Sequence, residues 1–312
     1  MRNHTGITFF IFGGLTDDPQ LQVLLFIFLF LTYMLSVTAN LTIITLTWVD
    51  PHLKTPMYIF LRNYSFLEVS FTTACIPRFL YHMSTGNYTV TYNACFTQLF
   101  FGILFAASEF FLLAAMSYDR YVAICKPLYY AAIINNRVCN QLLLGCWLSG
   151  LIIVLPILGG GLKLEFCDSK IIDHFVCDIT PLLEITCSDI QVQERIVLVC
   201  AMLALIITLM LVVLSYAYIV RTSLRFPSAE QRQKAFSTCS SHMIVVFMTY
   251  GTCIFIYIKL SAKEVGTLNK VVLLLTTSVA PVMNPFIYTL RNKQVIQAFR
   301  DTFKRIVLVS KL

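Results

Sequence analysis

Seven apolar segments constrain this chain more than any other feature of its sequence. An α-helix of about 20 predominantly apolar residues is long enough to cross the hydrocarbon core of a bilayer. The segments run over residues 23–48, 57–81, 93–122, 140–162, 196–221, 236–258 and 269–290. Because backbone polar groups in lipid must be satisfied within the segment, we predict an all-α membrane protein, with one domain over residues 1–312 built as a seven-transmembrane helix bundle.

The composition supports a membrane protein and argues against a nucleic-acid partner. Of the 312 residues, 58% are hydrophobic and 12% are charged, whereas soluble domains carry about a quarter charged residues. The net charge of +7 is spread between the apolar segments rather than gathered on one face. The chain also lacks the common phosphate, dinucleotide and zinc-protease motifs, so no resident cofactor is expected.

Basic residues predict the orientation, because cytoplasmic loops of membrane proteins are enriched in Lys and Arg. Fifteen of the 23 Lys and Arg fall on the side of Arg120 and eight on the other side. We therefore predict a plasma-membrane protein with an extracellular N-terminus, residues 1–22, and a cytoplasmic helix and tail, residues 291–312. The tail alternates basic and apolar residues with helical period, which predicts a short amphipathic helix on the inner leaflet. Asn3 is then a candidate glycosylation site, and Asn87 a weaker one.

The one long connection, residues 163–194, lies outside the cell in this orientation. It carries three cysteines: Cys167, Cys177 and Cys187. With Cys95, at the outer start of the third segment, they form an even set of four in an oxidising compartment. Four cysteines allow three pairings, and the spacing does not choose among them. A metal site formed by His174 and Cys177 is an alternative that disulfide formation would remove.

Two carboxylates, Glu68 and Glu109, lie deep in the second and third apolar segments. A charge in hydrocarbon is costly, so each is expected to face the bundle interior, to be protonated, or to share an ion or water. Asn40 and Asn284 lie at comparable depth in the first and seventh segments. These four residues predict a polar interior cluster that belongs to a switch and is a candidate sodium site. The alternative is a neutral hydrogen-bonded network that only fixes helix packing.

Short motifs on the predicted helices resemble those of the rhodopsin-like G-protein-coupled receptors. They are Asp119-Arg120-Tyr121 after the third helix core, Asn284-Pro285-x-x-Tyr288 in the seventh helix, Trp147 in the fourth, and Cys95 opposite a loop cysteine. A second set comprises Pro56-Met57-Tyr58, MSYDRYVAICKPLYY from Met116, Ser215-Tyr216, KAFSTCSSH from Lys234, and Pro281-Val282-Met283-Asn284-Pro285. In this order, over nearly the whole chain, they resemble the tetrapod-type (class II) odorant receptors, and family 6 most closely. Tyr64 stands where that family usually has leucine, and Glu68 where it has aspartate.

The resemblance implies a function and its partners. An odorant receptor is not an enzyme; it binds a small volatile ligand and activates the stimulatory olfactory G protein, which raises cyclic AMP. It implies a location in the ciliary membrane of olfactory neurons and contact with membrane lipid. Trafficking chaperones are candidate further partners, and the sequence leaves open whether they are required. It also implies the disulfides Cys95–Cys177 and Cys167–Cys187.

The resemblance further implies which residues couple the receptor to the G protein. Arg120 would leave Asp119 on activation and contact the C-terminal helix of the G protein, while Tyr216 and Tyr288 swing inward. His242 and its segment would line the intracellular opening. The coupling set is Asp119, Arg120, Tyr121, Tyr216, His242, Asn284, Pro285 and Tyr288.

In this fold the ligand pocket lies between the outer halves of the third, fifth, sixth and seventh helices. Helical spacing selects Gly102, Ile103, Ala106, Ala107, Cys200, Ala204, Tyr250, Cys253, Ile254, Tyr257, Leu274 and Thr277. None of them is charged, so an amine or a carboxylate would be buried without a countercharge. We therefore predict a small, neutral, mostly apolar ligand whose hydroxyl or carbonyl meets Tyr250, Tyr257 or Thr277. Plain helix packing is the alternative role for each position.

Two other functions are alternatives to a receptor. A transporter or channel would use Glu68 and Glu109 as a pathway, but the chain has no internal repeat and no filter-like loop. A membrane enzyme would need an intramembrane catalytic constellation, whereas all five histidines fall at predicted loops or helix ends.

Overall fold

A computed structural model describes residues 8–16, 18–166, 170–260, 266–290 and 295–301, with side chains outside 256–269 and 289–290. The helices in these ranges are α1 (Pro19–Val49), α2 (Pro56–Thr85), α3 (Tyr92–Cys125), α4 (Tyr130–Ile133), α5 (Asn136–Gly161), α6 (Ile179–Glu184), α7 (Gln191–Ser223), α8 (Ala229–Leu260), α9 (Gly266–Ser278), α10 (Ala280–Leu290) and α11 (295–301). The first five predicted spans are α1, α2, α3, α5 and α7, the sixth is α8, and the seventh comprises α9 and α10. The seven-helix prediction is therefore confirmed, and α11 provides the predicted C-terminal helix.

Most helices extend beyond the apolar segments that predicted them, because caps and water satisfy the backbone outside the hydrocarbon. Asp18 caps α1 by accepting a hydrogen bond from the backbone N–H of Gln20 at 2.8 Å. Asn135 caps α5 in the same way. The loop predicted to end at residue 194 ends earlier, because α7 begins at Gln191.

Six of the spanning segments are long and apolar enough to cross a membrane, counted over the described residues. The remaining one, α2, is less apolar and carries Arg62, Glu68 and Arg78 along its 30 residues. It packs against α1, α3 and α5 all the same. Its polar residues therefore belong to the bundle.

The last span is interrupted between α9 and α10, next to Pro281. A proline lacks the N–H that the helical ladder requires and its ring crowds the preceding turn. The backbone N–H of Val282 instead reaches back three residues, to the carbonyl of Val279 at 3.1 Å, and Met283 restores the four-residue spacing at 2.9 Å. The predicted break in this helix is thus found at Val279, two residues before Pro281, and both prolines lie within α10.

A small sheet at the Cys95 end of α3 was not predicted, so the all-α description needs this addition. Strands β1 (Phe9–Phe12), β2 (Thr89–Thr91) and β3 (Ile171–Ile172) form a sheet in the order β2-β1-β3. β1 is antiparallel to β2 and parallel to β3. Strands of two to four residues are too short to show a periodicity, and their pairing depends on contacts distant in sequence.

Helix α3 lies at the centre of the bundle, where it packs against α2, α5, α7 and α8. Its approach to α5 depends on Gly150, because a Cβ there would lie 2.3 Å from the Ser108 hydroxyl oxygen. The central position buries the polar residues of α3. Glu109 therefore lies in the interior of the bundle, and Asp119 and Arg120 lie near one end of α3.

Candidate functional site

A hydrogen-bonded network joins four helices in the middle of the bundle. The Tyr64 hydroxyl on α2 donates to Glu109 Oε1 on α3 at 2.9 Å. Asn284 Nδ2 on α10 donates to the Tyr64 oxygen at 2.9 Å and also to Glu68 Oε1. Thr249 on α8 donates to Glu109 Oε1 at 3.4 Å. Three of the four residues predicted as a polar cluster are thus connected, and Tyr64 is the link between them.

Sequence reasoning missed the role of Tyr64, although a signal was present. Tyr64 precedes Glu68 by four residues, so both project from the same face of α2. Asn40, the fourth predicted member, makes different contacts. Its Nδ2 donates to the carbonyls of Ser36 at 3.0 Å and Pro281 at 3.1 Å, joining α1 to the break in the last span.

The Asp119–Arg120 pair is buried at the end of α3, with 1% and 9% of each residue exposed. Both Nε and Nη2 of Arg120 donate to Asp119 Oδ2, the former at 3.0 Å. The other carboxylate oxygen accepts a hydrogen bond of 2.7 Å from the hydroxyl of Tyr130 on α4. Burial and the neighbouring carboxylate raise the pKa of Tyr130, which keeps its hydroxyl protonated as a donor. Tyr130 was not predicted as part of this site.

A cavity of about 600 Å³ opens beside this pair. Arg120, Lys234, Ser241, His242 and Tyr288 are among the residues that line it. The segment expected to face the intracellular opening therefore lies at this cavity. The Tyr216 hydroxyl and His242 Nδ1 form a hydrogen bond across α7 and α8, 2.5 Å long.

The remaining coupling residues lie around this region. Tyr121 does not share the ion pair; its ring packs against Tyr218, with 5.7 Å between centroids. The ring of Tyr288 meets Tyr64 edge-on at 5.8 Å. Among the described residues the Tyr288 hydroxyl has no hydrogen-bond partner. Tyr288 therefore touches the central network through its ring only.

At the opposite end of α3, Cys95 and Cys177 form a disulfide, which confirms that implied pairing. Gln98 strengthens the same connection: its Oε1 accepts from the backbone N–H of Cys177 at 3.1 Å. Its Nε2 donates to the carbonyl of Ala74 on α2 at 2.8 Å. One buried amide thus ties the loop to α2 and α3, a role that sequence reasoning did not identify.

The other cysteine predictions have separate outcomes. Cys187 is disulfide-bonded, while its implied partner Cys167 lies outside the described residues, as does the glycosylation candidate Asn3. Cys177 is not available to a metal, because its sulfur is in the disulfide. His174 Nδ1 accepts from the backbone N–H of Val176 at 3.2 Å, and burial lowers the pKa of His174.

The structure divides the candidate ligand residues among three regions. Ile103 and Cys200 pack on the outer cluster around the Cys95–Cys177 disulfide. Tyr250 and Cys253 belong to the central cluster. Leu274 instead packs with side chains of α1 and α2, such as Leu29 and Phe79, because α9 borders those helices. The predicted set is therefore not one continuous wall.

Other members of the set differ in how much space surrounds them. A Cβ added at Gly102 would meet no heavy atom within 4 Å, so there is open space beside that position. Ala107 and Ala204 are each 7% exposed, Ala106 is half-buried, and Ile254 is 36% exposed. The side chain of Tyr257 lies outside those the structure describes.

Two polar members of the set differ in their hydrogen bonding. The Thr277 hydroxyl donates to the carbonyl of Leu273 at 2.9 Å, within its own helix. The Tyr250 hydroxyl is buried and has no partner among the described residues. The neighbouring Thr208 hydroxyl gives its proton to the carbonyl of Ala204 at 2.7 Å. By geometry the Tyr250 hydroxyl makes no hydrogen bond, and the nearby Thr208 oxygen, which can still accept, would compete with a ligand oxygen for its proton.

Comparisons with known proteins agree with this arrangement. A sequence model of the olfactory receptor family matches residues 29–308. The chain is 71% identical to olfactory receptor 6C2 of Homo sapiens over 311 residues, a coverage of 100% of each chain to the nearest per cent. It is 64% identical to olfactory receptor 6C68 of Homo sapiens over 306 residues, 98% of each chain. A family match of this extent establishes that the chain belongs to the olfactory receptor family, a family of G-protein-coupled receptors and not of enzymes.

Proposed function

We propose that this receptor binds a small, neutral, mostly apolar odorant and activates the olfactory-type stimulatory G protein, which raises cyclic AMP. The observation that carries the proposal is the cavity of about 600 Å³ with the buried Asp119–Arg120 pair at its wall. A buried pair of this kind can be exchanged for contacts with a partner only when the surrounding helices move. The cavity would then receive the C-terminal helix of the G protein, with His242 and Lys234 at its edge.

The neutrality of the ligand follows from the candidate ligand residues, which carry no charge. A charged odorant there would lose its hydration without gaining a countercharge, which is costly. Tyr250 adds a requirement for a polar group on the ligand, because its buried hydroxyl has no partner among the described residues. An unpaired buried donor is satisfied by a ligand oxygen, so the preferred odorant carries a carbonyl, ether or hydroxyl.

Replacing Tyr250 with phenylalanine tests this requirement. For an oxygenated agonist we expect the half-maximal concentration to rise about 2- to 10-fold, since one neutral hydrogen bond contributes about 0.5–1.5 kcal/mol. Folding should be unaffected, because the hydroxyl that is removed makes no hydrogen bond within the described chain. An agonist without oxygen is the control, and its potency should not change. An equal loss of potency for both agonists would contradict a hydrogen bond to the ligand.

The function itself is tested by measuring cyclic AMP in cells that co-express the receptor and the olfactory G protein. Neutral, acidic and amine odorants are screened at matched surface expression of the receptor. A response to neutral volatiles that is lost in Tyr257→Ala, at intact surface expression, supports the pocket. A carboxylate or an amine as the best agonist would overturn the proposed ligand class.

Several narrower properties belong to the same proposal. The N-terminus lies outside the cell, the receptor resides in the ciliary membrane with α11 against inner-leaflet lipid, and chaperones assist its transport. A sodium ion would take its oxygen ligands from Glu68, Glu109 and Asn284, which suit a hard cation. Asn284 Oδ1 supports this, since it is buried and has no partner within the described residues.

A further inference from the structure

Tyr64 holds a position that the proposed mechanism does not use. It is 1% exposed, lies on α2, and accepts a hydrogen bond from α10 while it donates one to α3. Through Glu109 it also reaches Thr249 on α8. Tyr64 therefore connects α10 to α3, which share no direct side-chain hydrogen bond among those described, while Asn284 also holds α10 to α2 through Glu68.

The phenol can make this connection because it is both a donor and an acceptor. Its proton goes to Glu109 Oε1 at 2.9 Å, and its oxygen takes the amide proton of Asn284 at 2.9 Å. Its ring supports the same alignment by meeting Tyr288 edge-on. A leucine at this position would fill space but could form neither hydrogen bond.

We propose that Tyr64 is a positioning residue that holds α10, and α8 through Glu109, in the resting arrangement of the receptor. We call the hydrogen bonds among Tyr64, Glu109 and Asn284 the phenol latch. The inference rests on the proposed function, because it assigns the latch to the conformational change that activates the G protein. It concerns the hydroxyl of Tyr64, and does not depend on whether an ion binds nearby.

On the proposed mechanism this is the resting arrangement, because Arg120 is bound to Asp119 beside Tyr130. Hydrogen bonds formed in the resting arrangement and lost on activation favour the resting population. Removing them shifts the equilibrium toward the active arrangement. Because Asn284 keeps its hydrogen bond to Glu68, the net loss is about one neutral hydrogen bond, which predicts a change of about 2- to 10-fold in that equilibrium.

The test compares the full-length receptor with Tyr64→Phe, which removes only the hydroxyl, and Tyr64→Leu, which also removes the ring. The matched control is Tyr33→Phe, since the Tyr33 hydroxyl also joins two helices, meeting Thr73 Oγ1 at 3.4 Å outside the network. Each receptor is measured for cyclic AMP without any odorant, normalised to surface expression. In parallel, hydrogen–deuterium exchange of the purified receptor in lipid nanodiscs reports on α8 and α10.

We expect both Tyr64 variants to show backbone exchange in α8 and α10 that is about 2- to 10-fold faster, and odorant-independent cyclic AMP raised by a similar factor. Tyr33→Phe should match the wild type in both. Unchanged exchange in Tyr64→Phe overturns the latch, whatever the signalling result. Faster exchange with unchanged odorant-independent cyclic AMP, in a receptor that responds to odorants, also overturns it.

The proposed coupling to the G protein can be contradicted without contradicting the latch. If no receptor, wild type included, raises cyclic AMP with any odorant despite surface expression, coupling to this G protein is contradicted. Faster exchange in the Tyr64 variants would then still support the latch as a device that holds these helices. The exchange measurement needs neither a G protein nor an agonist, so the two failures are distinguishable.

Discussion

Replacement of Arg120 with alanine is expected to reduce the odorant-dependent rise in cyclic AMP by more than about tenfold. A central interface arginine contributes about 2 kcal/mol or more to binding a partner, and Arg120 lines the cavity proposed to receive the G protein. The substitution also leaves the carboxylate of Asp119 buried, with Tyr130 as its remaining described donor. Such an unpaired charge costs about 3–5 kcal/mol, so surface expression must be measured together with cyclic AMP.

Two further variants separate lost coupling from lost folding. Arg120→Lys keeps the positive charge beside Asp119 but loses the planar guanidinium with its several donors, so intermediate signalling is expected at near-normal surface expression. Arg137→Ala removes an exposed arginine at the start of α5, and signalling should be unchanged. A full response in Arg120→Ala would contradict the proposed coupling site and favour a function that does not involve a G protein.

Replacement of Cys177 with serine is expected to remove most of the receptor from the cell surface. The disulfide closes a loop between residues 82 positions apart, and losing such a bond typically costs about 2–5 kcal/mol of stability. The hydrogen bond from the Cys177 backbone to Gln98 would remain, but alone it holds the loop weakly. Surface receptor is measured by flow cytometry with an N-terminal epitope tag.

The partner cysteine and a free cysteine provide the controls. Cys95→Ser, alone or combined with Cys177→Ser, should lower surface expression to the same level as Cys177→Ser, because all three variants lose one shared bond. Cys125→Ser changes a free thiol at the other end of α3 and should leave expression near that of the wild type. Normal expression of Cys177→Ser would show that the loop is held without the disulfide.

The helices themselves follow from local properties, which is why they could be predicted. Hydrocarbon length and the need to satisfy the backbone internally define each span, whatever its neighbours are. The same holds for the break near Pro281, because the missing N–H is a property of the residue itself. The seven cysteines outside the set of four all lie within helices and are free in the structure.

Several contacts in and around the site could not be predicted from the sequence. Tyr130 reaches Asp119 from a connection that the sequence presents as an ordinary loop. Leu274 has helical spacing suitable for a ligand wall, yet it packs with α1 and α2. The sheet that places β1 beside β2 and β3 joins segments about 80 to 160 residues apart. In each case the contact depends on how helices rotate and pack, which no local pattern records.

The sequence by itself determined the number of spans, the predicted orientation, the positions of the buried carboxylates and the family. These depend on hydropathy, charge and motif order, all of which are read along one chain. Only the tertiary structure decided that Tyr64, rather than Asn40, joins Glu109 to Asn284. The reason is geometric: a hydrogen bond depends on the distance and direction between two atoms, and for residues on different helices both are set by packing.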